Sequence, residues 1–301
     1  MTAEHAGAGG KLRAWLDELR AWLDEQGFEL PLLLTLLALL LSPVGAWDVR
    51  SAVLLLAAAA LLHSGLRRSP WTWLALTGLT GWRVVADWPM SDNHAYLLAY
   101  WCLAIGLALL VREPERSLAT SARLLIGLAF GFAVLWKSVV SPDYLDGRFF
   151  RVLFLVDERF EALALNLGGM TEASLAEARG LIEENRHVLD KRPPGELETP
   201  TLRALAAGAT WGSLVLEAAV AVLFLLPRRL RISKLGDAAL LIFCAGTYAL
   251  APVAGFGWLL LSMGVAQCEP ERRTTRWLYL GVFALVILHD NVPWLDLVPS
   301  L

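Results

Sequence analysis

The chain has 301 residues, of which 56% are hydrophobic and only 18% are charged, and its mean hydropathy is +0.53. Soluble domains usually carry about 25% charged residues, so this composition excludes an ordinary soluble enzyme. The net charge of -3 excludes the strongly basic surface that nucleic-acid-binding proteins need, and no nucleic-acid partner is expected.

The N-terminal region contains a repeated heptad. Residues 12–18 and 19–25 share the sequence LRAWLDE, which places Leu and Trp on one face of a helix. This pattern predicts an amphipathic helix over residues 1–27 that lies in the membrane interface, with its Trp side chains at headgroup level. A second interpretation is that residues 12–25 bind a protein partner as a coiled coil, although two heptads are too few to favour it.

Most of the remaining chain consists of apolar blocks of roughly 17 to 25 residues, the length that crosses about 30 Å of hydrocarbon. The predicted spans are 29–47, 51–66, 70–88, 94–111, 122–141, 202–226 and 277–295. The stretch 236–268 is too long for one simple span. Pro252 and Gly255 in its middle could either break it into a hairpin or only kink it, and the basic residues that flank it favour the hairpin, with both ends on the same side of the membrane.

Basic residues in the short loops predict the orientation of these spans. The clusters are Arg67 and Arg68; Arg112, Arg116 and Arg123; Arg228, Arg229, Arg231 and Lys234; and Arg272, Arg273 and Arg276. The positive-inside rule places all of them in the cytoplasm. The predicted fold is all-α, a polytopic transmembrane bundle of nine segments, or eight in the alternative. Its N-terminus is cytoplasmic and its C-terminus is extracytoplasmic, and the Arg-rich, Ala- and Leu-rich composition favours a bacterial cytoplasmic membrane.

The predicted arrangement divides the chain into four parts. They are the N-terminal helix 1–27, a first transmembrane half 28–141, an outer loop 142–200 and a second transmembrane half 201–301. Within the loop, Arg148 to Leu167 predict an interfacial helix, and Thr171 to Lys191 predict a polar helix. The sequence Ser174-Leu175-Ala176-Glu177 has the form of a capping box for that polar helix. The loop is also a candidate surface for a protein partner.

Ionisable residues within predicted spans are costly, so each is a functional candidate. Glu217 lies midway along its span and must be protonated, paired or facing water; a structural hydrogen bond to another helix is the alternative role. Lys137 lies about one turn from the outer end of its span, where its long stem could instead carry the charge to the headgroups.

Further polar residues are predicted at the outer ends of spans. Arg83 and Asp87 are four residues apart, a spacing that also allows an ion pair within one helix. With Lys137, His289 and Asp290 they are predicted to line one outward-facing cavity, because their three spans run in the same direction. An apolar cavity disfavours the charged form of an amine, so Lys137 could serve as a general base there.

Three stretches of the sequence carry a family resemblance. They are Ala129 to Lys137 (AFGFAVLWK), the turn Asp143-Tyr144-Leu145-Asp146-Gly147, and Ser213 to Arg229 with Glu217. Together with the broken stretch 236–268, they resemble the membrane domain shared by vitamin K-dependent γ-carboxylase and the bacterial HTTM proteins. In that family a span ends in a lysine, an acidic-aromatic-x-x-glycine turn follows, and Tyr144 stands where Trp is usual.

The resemblance implies that Lys137 is the base that starts oxygenation of a quinone-type cofactor. We therefore predict a membrane redox or modification enzyme that acts on a quinone-type or other lipid-soluble substrate from the outer leaflet. The predicted catalytic residues are Lys137, Glu217 and His289, and the predicted substrate-binding residues are Arg83, Asp87, Asp143, Tyr144 and Asp290.

The second interpretation is a membrane protein without enzyme activity, either a transporter or a scaffold that binds a partner. A transporter should have polar residues on both sides of the midplane, whereas here they crowd the outer half. A scaffold needs no buried charge, so the predicted burial of Glu217 counts against that interpretation.

Overall fold

The computed structural model describes residues 27–41, 47–89, 91–184, 198–250, 255–269 and 271–291, together with Glu18. Every regular element in these ranges is a helix, which confirms the all-α prediction. Apart from Glu18, the repeated heptad of residues 12–25 lies outside the described residues, so the N-terminal amphipathic helix stays a prediction.

The chain passes through a series of helices. Up to the candidate site they are α1 (Glu29–Leu41), α2 (Trp47–Leu62), α3 (Ser64–Arg67), α4 (Pro70–Ala86), α5 (Asn93–Ala108) and α6 (Pro114–Leu135), which continues as a π-helical turn (Trp136–Val140). Short helices follow: α7 (Pro142–Leu145), α8 (Arg148–Val156), a 3-10 turn (Glu158–Phe160), α9 (Glu161–Asn166) and α10 (Glu172–Glu184). The last group is α11 (Pro200–Leu225), a 3-10 turn (Arg231–Lys234), α12 (Leu235–Leu250), α13 (Phe256–Gln267) and α14 (Arg273–Asn291).

The described residues form two compact units. The first contains residues 27–123 and 255–291, and the second contains residues 124–250. This division differs from the four predicted parts of the chain, because α13 and α14 join the unit that contains α1 to α5. The role of residues 28–141 and 201–301 as two transmembrane halves stays a prediction.

In the first unit, α13 packs against α1 and α14 and is buried along most of its length. A helix that is apolar on all sides is expected to lie inside a helical bundle. Gly264 of α13 allows the close approach of α14, because a Cβ at that position would overlap the buried ring of Tyr279. The Thr35 hydroxyl of α1 accepts a 2.9 Å hydrogen bond from the Trp101 indole of α5.

A buried carboxylate joins the ends of several helices in the same unit. Glu29, the first residue of α1, accepts hydrogen bonds from Arg67 at 3.1 and 2.6 Å and pairs with Arg68. Arg67 also donates to the Leu61 carbonyl at 3.1 Å, and the Trp73 indole donates to the Arg67 carbonyl at 2.8 Å. Arg67 and Arg68, one of the predicted basic clusters, therefore bind Glu29 at the connection between α2 and α4.

In the second unit, α8 to α10 and the start of α11 share an apolar cluster, which we call the α8–α10 layer. Its buried residues are Phe154, Leu155, Phe160, Ala164, Met170, Leu175, Ala178, Leu202 and Ala206. The single helix predicted from Arg148 to Leu167 is wrong, because the backbone is extended at Asp157. The Asp157 side chain accepts a 3.0 Å hydrogen bond from the Arg159 amide and starts a new turn. The interfacial position of this segment stays a prediction.

The capping box of α10 lies three residues before the predicted one. The Ser174 amide donates to the Thr171 hydroxyl at 3.2 Å, and the Thr171 amide donates to the Ser174 hydroxyl at 3.0 Å. The prediction that Ser174 is the cap is therefore wrong: Thr171 caps the helix, and Ser174 is its reciprocal partner in the first turn.

Two helices are long and apolar enough to cross a membrane by length and composition, Pro114–Val140 and Pro200–Leu225. Shorter apolar helices are Glu29–Leu41, Val49–Leu62 and Phe256–Gln267. The stretch 236–268 is divided between α12 and α13, and Gly255 adopts a φ of 88° immediately before α13. The predicted break near Gly255 is confirmed, whereas the number of membrane crossings stays a prediction.

Candidate functional site

The two long apolar helices bring Lys137 and Glu217 together within the second unit. Lys137 Nζ donates a hydrogen bond of 2.5 Å to Glu217 Oε1. The Glu217 side chain is 7% exposed and the Lys137 side chain is 24% exposed. Of the three states that burial allowed for Glu217, protonated, paired or facing water, the structure has the paired one. The accessible partner in the pair is the lysine.

The π-helical turn at the end of α6 sets the position of Lys137. The Ser141 amide donates to the Trp136 carbonyl at 3.0 Å, a bond that spans five residues instead of four. Pro142 has no amide hydrogen, so a continuing α-helix could not form its bond to the Ser138 carbonyl. The extra residue in the turn rotates the side chains relative to a regular α-helix, a distortion that is frequent at functional sites.

Tyr144 joins the lysine to α11. Its ring lies below the Lys137 amine, with Nζ 4.7 Å from the ring centroid, and the residue is buried. Its hydroxyl is 2.6 Å from the Ser213 hydroxyl, and Ser213 lies one helical turn before Glu217. The Tyr144 ring and the Glu217 carboxylate therefore both contact the Lys137 amine.

The acidic residues of the turn after α6 form ion pairs with Arg148. Arg148 pairs with Asp143 at 2.9 Å and with Asp146 at 3.1 Å, and the Asp143 side chain is 60% exposed. Gly147 adopts a φ of 78°, the left-handed region that favours glycine, and so closes the turn. The Asp143 carboxylate is thus engaged at the surface, and its predicted contact with a substrate stays a prediction.

The other predicted site residues belong to the first unit. Arg83 Nε donates to Asp87 Oδ2 at 3.3 Å, the pair within one helix that their spacing allows. His289 and Asp290 lie in α14, and their side chains are outside the described residues. Because Lys137 belongs to the second unit, a single cavity lined by all five residues stays a prediction.

Sequence reasoning missed two features of the cluster, the π-helical turn and Ser213. Ser213 and Glu217 are four residues apart and therefore share a helix face, which is the signal that could have found the serine. The hydroxyl partner of Tyr144 is 69 residues away in the sequence, so no local pattern indicates that contact.

The cluster has the chemistry of proton transfer. Glu217 Oε2 is buried and accepts no hydrogen bond from the described residues, whereas Oε1 accepts the hydrogen bond from Lys137. An amine and a carboxylate at 2.5 Å can exchange a proton directly.

Comparison of the chain with protein-family models, with curated proteins and with solved structures finds no match.

Proposed function

We propose that this chain is a helical membrane protein in which Lys137 and Glu217 perform proton transfer on a lipid-soluble substrate. The observation that carries the proposal is the 2.5 Å bond between Lys137 Nζ and Glu217 Oε1. Replacement of a buried ion pair by apolar residues of similar size is often neutral or stabilising. The energy of packing alone therefore does not account for an amine and a carboxylate at this position.

The exposed apolar surface supports the membrane location. Large apolar side chains form a stripe along α6, with exposed fractions between 45% and 71%: Leu124, Leu128, Phe132, Leu135 and Val139. Water disfavours a continuous apolar patch of this kind, and monomeric soluble proteins rarely have one. On α11, Trp211, Val215 and Val222 are exposed as well. A lipid bilayer is the partner that fits these surfaces.

The proposal includes the nine-segment arrangement in a bacterial cytoplasmic membrane. Exposed tryptophans at both ends of α4 support it, with Trp71 72% exposed at one end and Trp82 61% and Trp88 69% exposed at the other. Tryptophan is enriched where a helix passes from hydrocarbon to headgroups. α4 has 17 residues, at the short end of the range that spans a bilayer.

The proposed chemistry begins with the proton on Lys137. This proton moves from Nζ to Glu217 Oε1 and leaves a neutral amine with a free electron pair. The amine then takes a proton from the substrate, which leaves as an anion, and Nζ becomes an ammonium again. Lys137 is the general base, and Glu217 holds the first proton until it is released.

A quinone-type molecule is the substrate that the family resemblance suggests. A hydroquinone hydroxyl is a weak acid that an amine can deprotonate, so the Lys137 amine fits this chemistry. The indole of Trp136, 62% exposed next to Lys137, offers an apolar surface for a ring.

Photo-crosslinking tests the substrate class and its place. A photoreactive quinone analogue should label residues 136–147 and 213–217 of the protein in bilayers. A photoreactive alkyl chain of equal length should label the exposed stripe of α6 instead. Equal labelling of the cluster by both probes would contradict the proposed substrate class.

A scaffold is the second candidate function, and the α8–α10 layer favours it. Helices α8, α9 and α10 of this layer are separate from the two long apolar helices, and α10 exposes Glu172, Glu177 and Glu184. An acidic surface of this kind could bind a basic protein partner. Such binding would not depend on the Lys137 amine, which separates the two functions.

A further inference from the structure

We infer that Tyr144 is a positioning residue that keeps the Lys137 amine at Glu217, and that Ser213 holds the Tyr144 ring in place. The consequence for catalysis depends on the proposed function, whereas the position of the amine can be measured without it.

The lysine side chain needs such a restraint. It has a flexible stem of four carbons, and near a membrane surface that stem can carry the ammonium to the headgroups. The Tyr144 ring centroid lies 4.7 Å from Nζ, within the roughly 6 Å over which an aromatic face attracts a cation. Tyr144 is 6% exposed, so its ring is itself held by packing.

The hydrogen bond to Ser213 can be assigned a direction. The Ser213 hydroxyl donates to the Thr210 carbonyl at 3.0 Å. Serine has one hydroxyl hydrogen, so the Tyr144 hydroxyl donates to Ser213 Oγ at 2.6 Å. Ser213 and Glu217 lie on the same face of α11, which means that one helical turn holds both the ring and the carboxylate that contact the amine.

This arrangement gives Tyr144 a role other than the predicted substrate contact. Its hydroxyl donates its hydrogen to Ser213, and its ring is covered on one side by Lys137. Phe149 and Phe150 pack against it at centroid distances of 5.6 and 5.9 Å. The hydroxyl and the ring of Tyr144 are therefore both engaged within the protein. We infer that a substrate contacts Lys137 and that Tyr144 acts only by positioning this lysine.

Competitive labelling of lysines in the detergent-solubilised protein tests the inference. Lys234 is exposed in a short turn and serves as the internal reference. The Tyr144→Phe variant keeps the ring and loses only the hydroxyl group that donates to Ser213. Its Lys137-to-Lys234 labelling ratio should rise about two- to tenfold, the range that loss of one hydrogen bond supports.

Ser213→Ala should raise the labelling ratio to a similar extent. The double variant should have the same ratio as each single variant, because all three lose the same Tyr144–Ser213 hydrogen bond. An unchanged ratio in Tyr144→Phe, or single effects that multiply in the double variant, would overturn the inference. If Ser213→Ala does not fold, Tyr144→Phe decides alone. Labelling requires no turnover, so this result stands apart from the quinone crosslinking that tests the proposed function.

Discussion

Lys137 and Glu217 are 80 residues apart in the sequence, and their charged groups are 2.5 Å apart in the structure. Removal of one partner from a buried pair leaves the other charge without compensation. Lys137→Met should therefore lower the free energy of unfolding by about 3–5 kcal/mol. The double variant with Glu217→Leu should recover most of that loss, because it removes both charges. Unfolding in detergent, followed by circular dichroism, measures the two values.

An exposed ion pair provides the control for this cycle. Arg116 and Glu113 are 3.2 Å apart, with side chains 84% and 68% exposed. Pairs in this environment contribute little to stability, so Arg116→Met should leave unfolding nearly unchanged. A Lys137→Met effect as small as that of Arg116→Met would show that the buried pair is not formed in the protein.

The proposed topology can be tested at the C-terminus. The described cysteines, Cys102, Cys244 and Cys268, are all buried, which favours selective labelling of a new surface thiol. Leu301→Cys should react with an impermeant maleimide in intact cells, because nine crossings place it outside. Lys234→Cys should react only after the cells are opened. Protection of position 301 would show that the number of crossings is even.

The contact between α13 and α14 leads to a stability prediction in the first unit. Gly264→Ala places a methyl group against the buried Tyr279 ring and should destabilise the protein by about 1–3 kcal/mol. Gly281→Ala in α14 is the matched control, because its Cβ meets nothing within 4 Å and alanine favours helix. Thermal unfolding should separate the two variants, and equal midpoints would contradict the close packing at Gly264.

The α8–α10 layer should depend on Glu198. This carboxylate accepts hydrogen bonds from Arg151 at 2.7 and 2.8 Å, and its side chain is fully buried. Glu198→Gln should loosen the layer, since an amide cannot accept both bonds or balance the guanidinium. Hydrogen exchange of α10 amides should become faster, while Glu177→Gln on the exposed face should leave it unchanged. Equal exchange rates in both variants would show that the Arg151–Glu198 ion pair does not stabilise the α8–α10 layer.

The helical character of the chain could be predicted because apolar blocks and helix-breaking residues are local signals. The break near Gly255 is an example, since a glycine and a proline in an apolar stretch indicate it directly. The cap of α10 shows the limit of such signals. Thr171 and Ser174 both fit a capping position, and only the backbone at Glu172 decides which of them is the cap.

The candidate site was predictable in its parts and not in its assembly. Lys137 and Glu217 each stood out as a charge in an apolar span, and the resemblance singled out Tyr144. Their contacts join residues on different helices, and a single sequence contains no record of such distances. The π-helical turn that sets the position of Lys137 is followed by Pro142, which has no amide hydrogen to donate. A kink in a regular α-helix would accommodate the missing donor equally well, so the proline alone does not predict a π-helical turn.

Turnover by the Lys137→Arg variant tests the central claim most directly. Arginine keeps the positive charge, a long stem and the capacity to pair with Glu217, yet it does not lose its proton under ordinary conditions. The variant should insert and fold at the wild-type level and lose conversion of a lipid-soluble hydroquinone by at least about a hundredfold, the contribution typical of a general base. Full turnover at wild-type abundance would contradict a base role for Lys137.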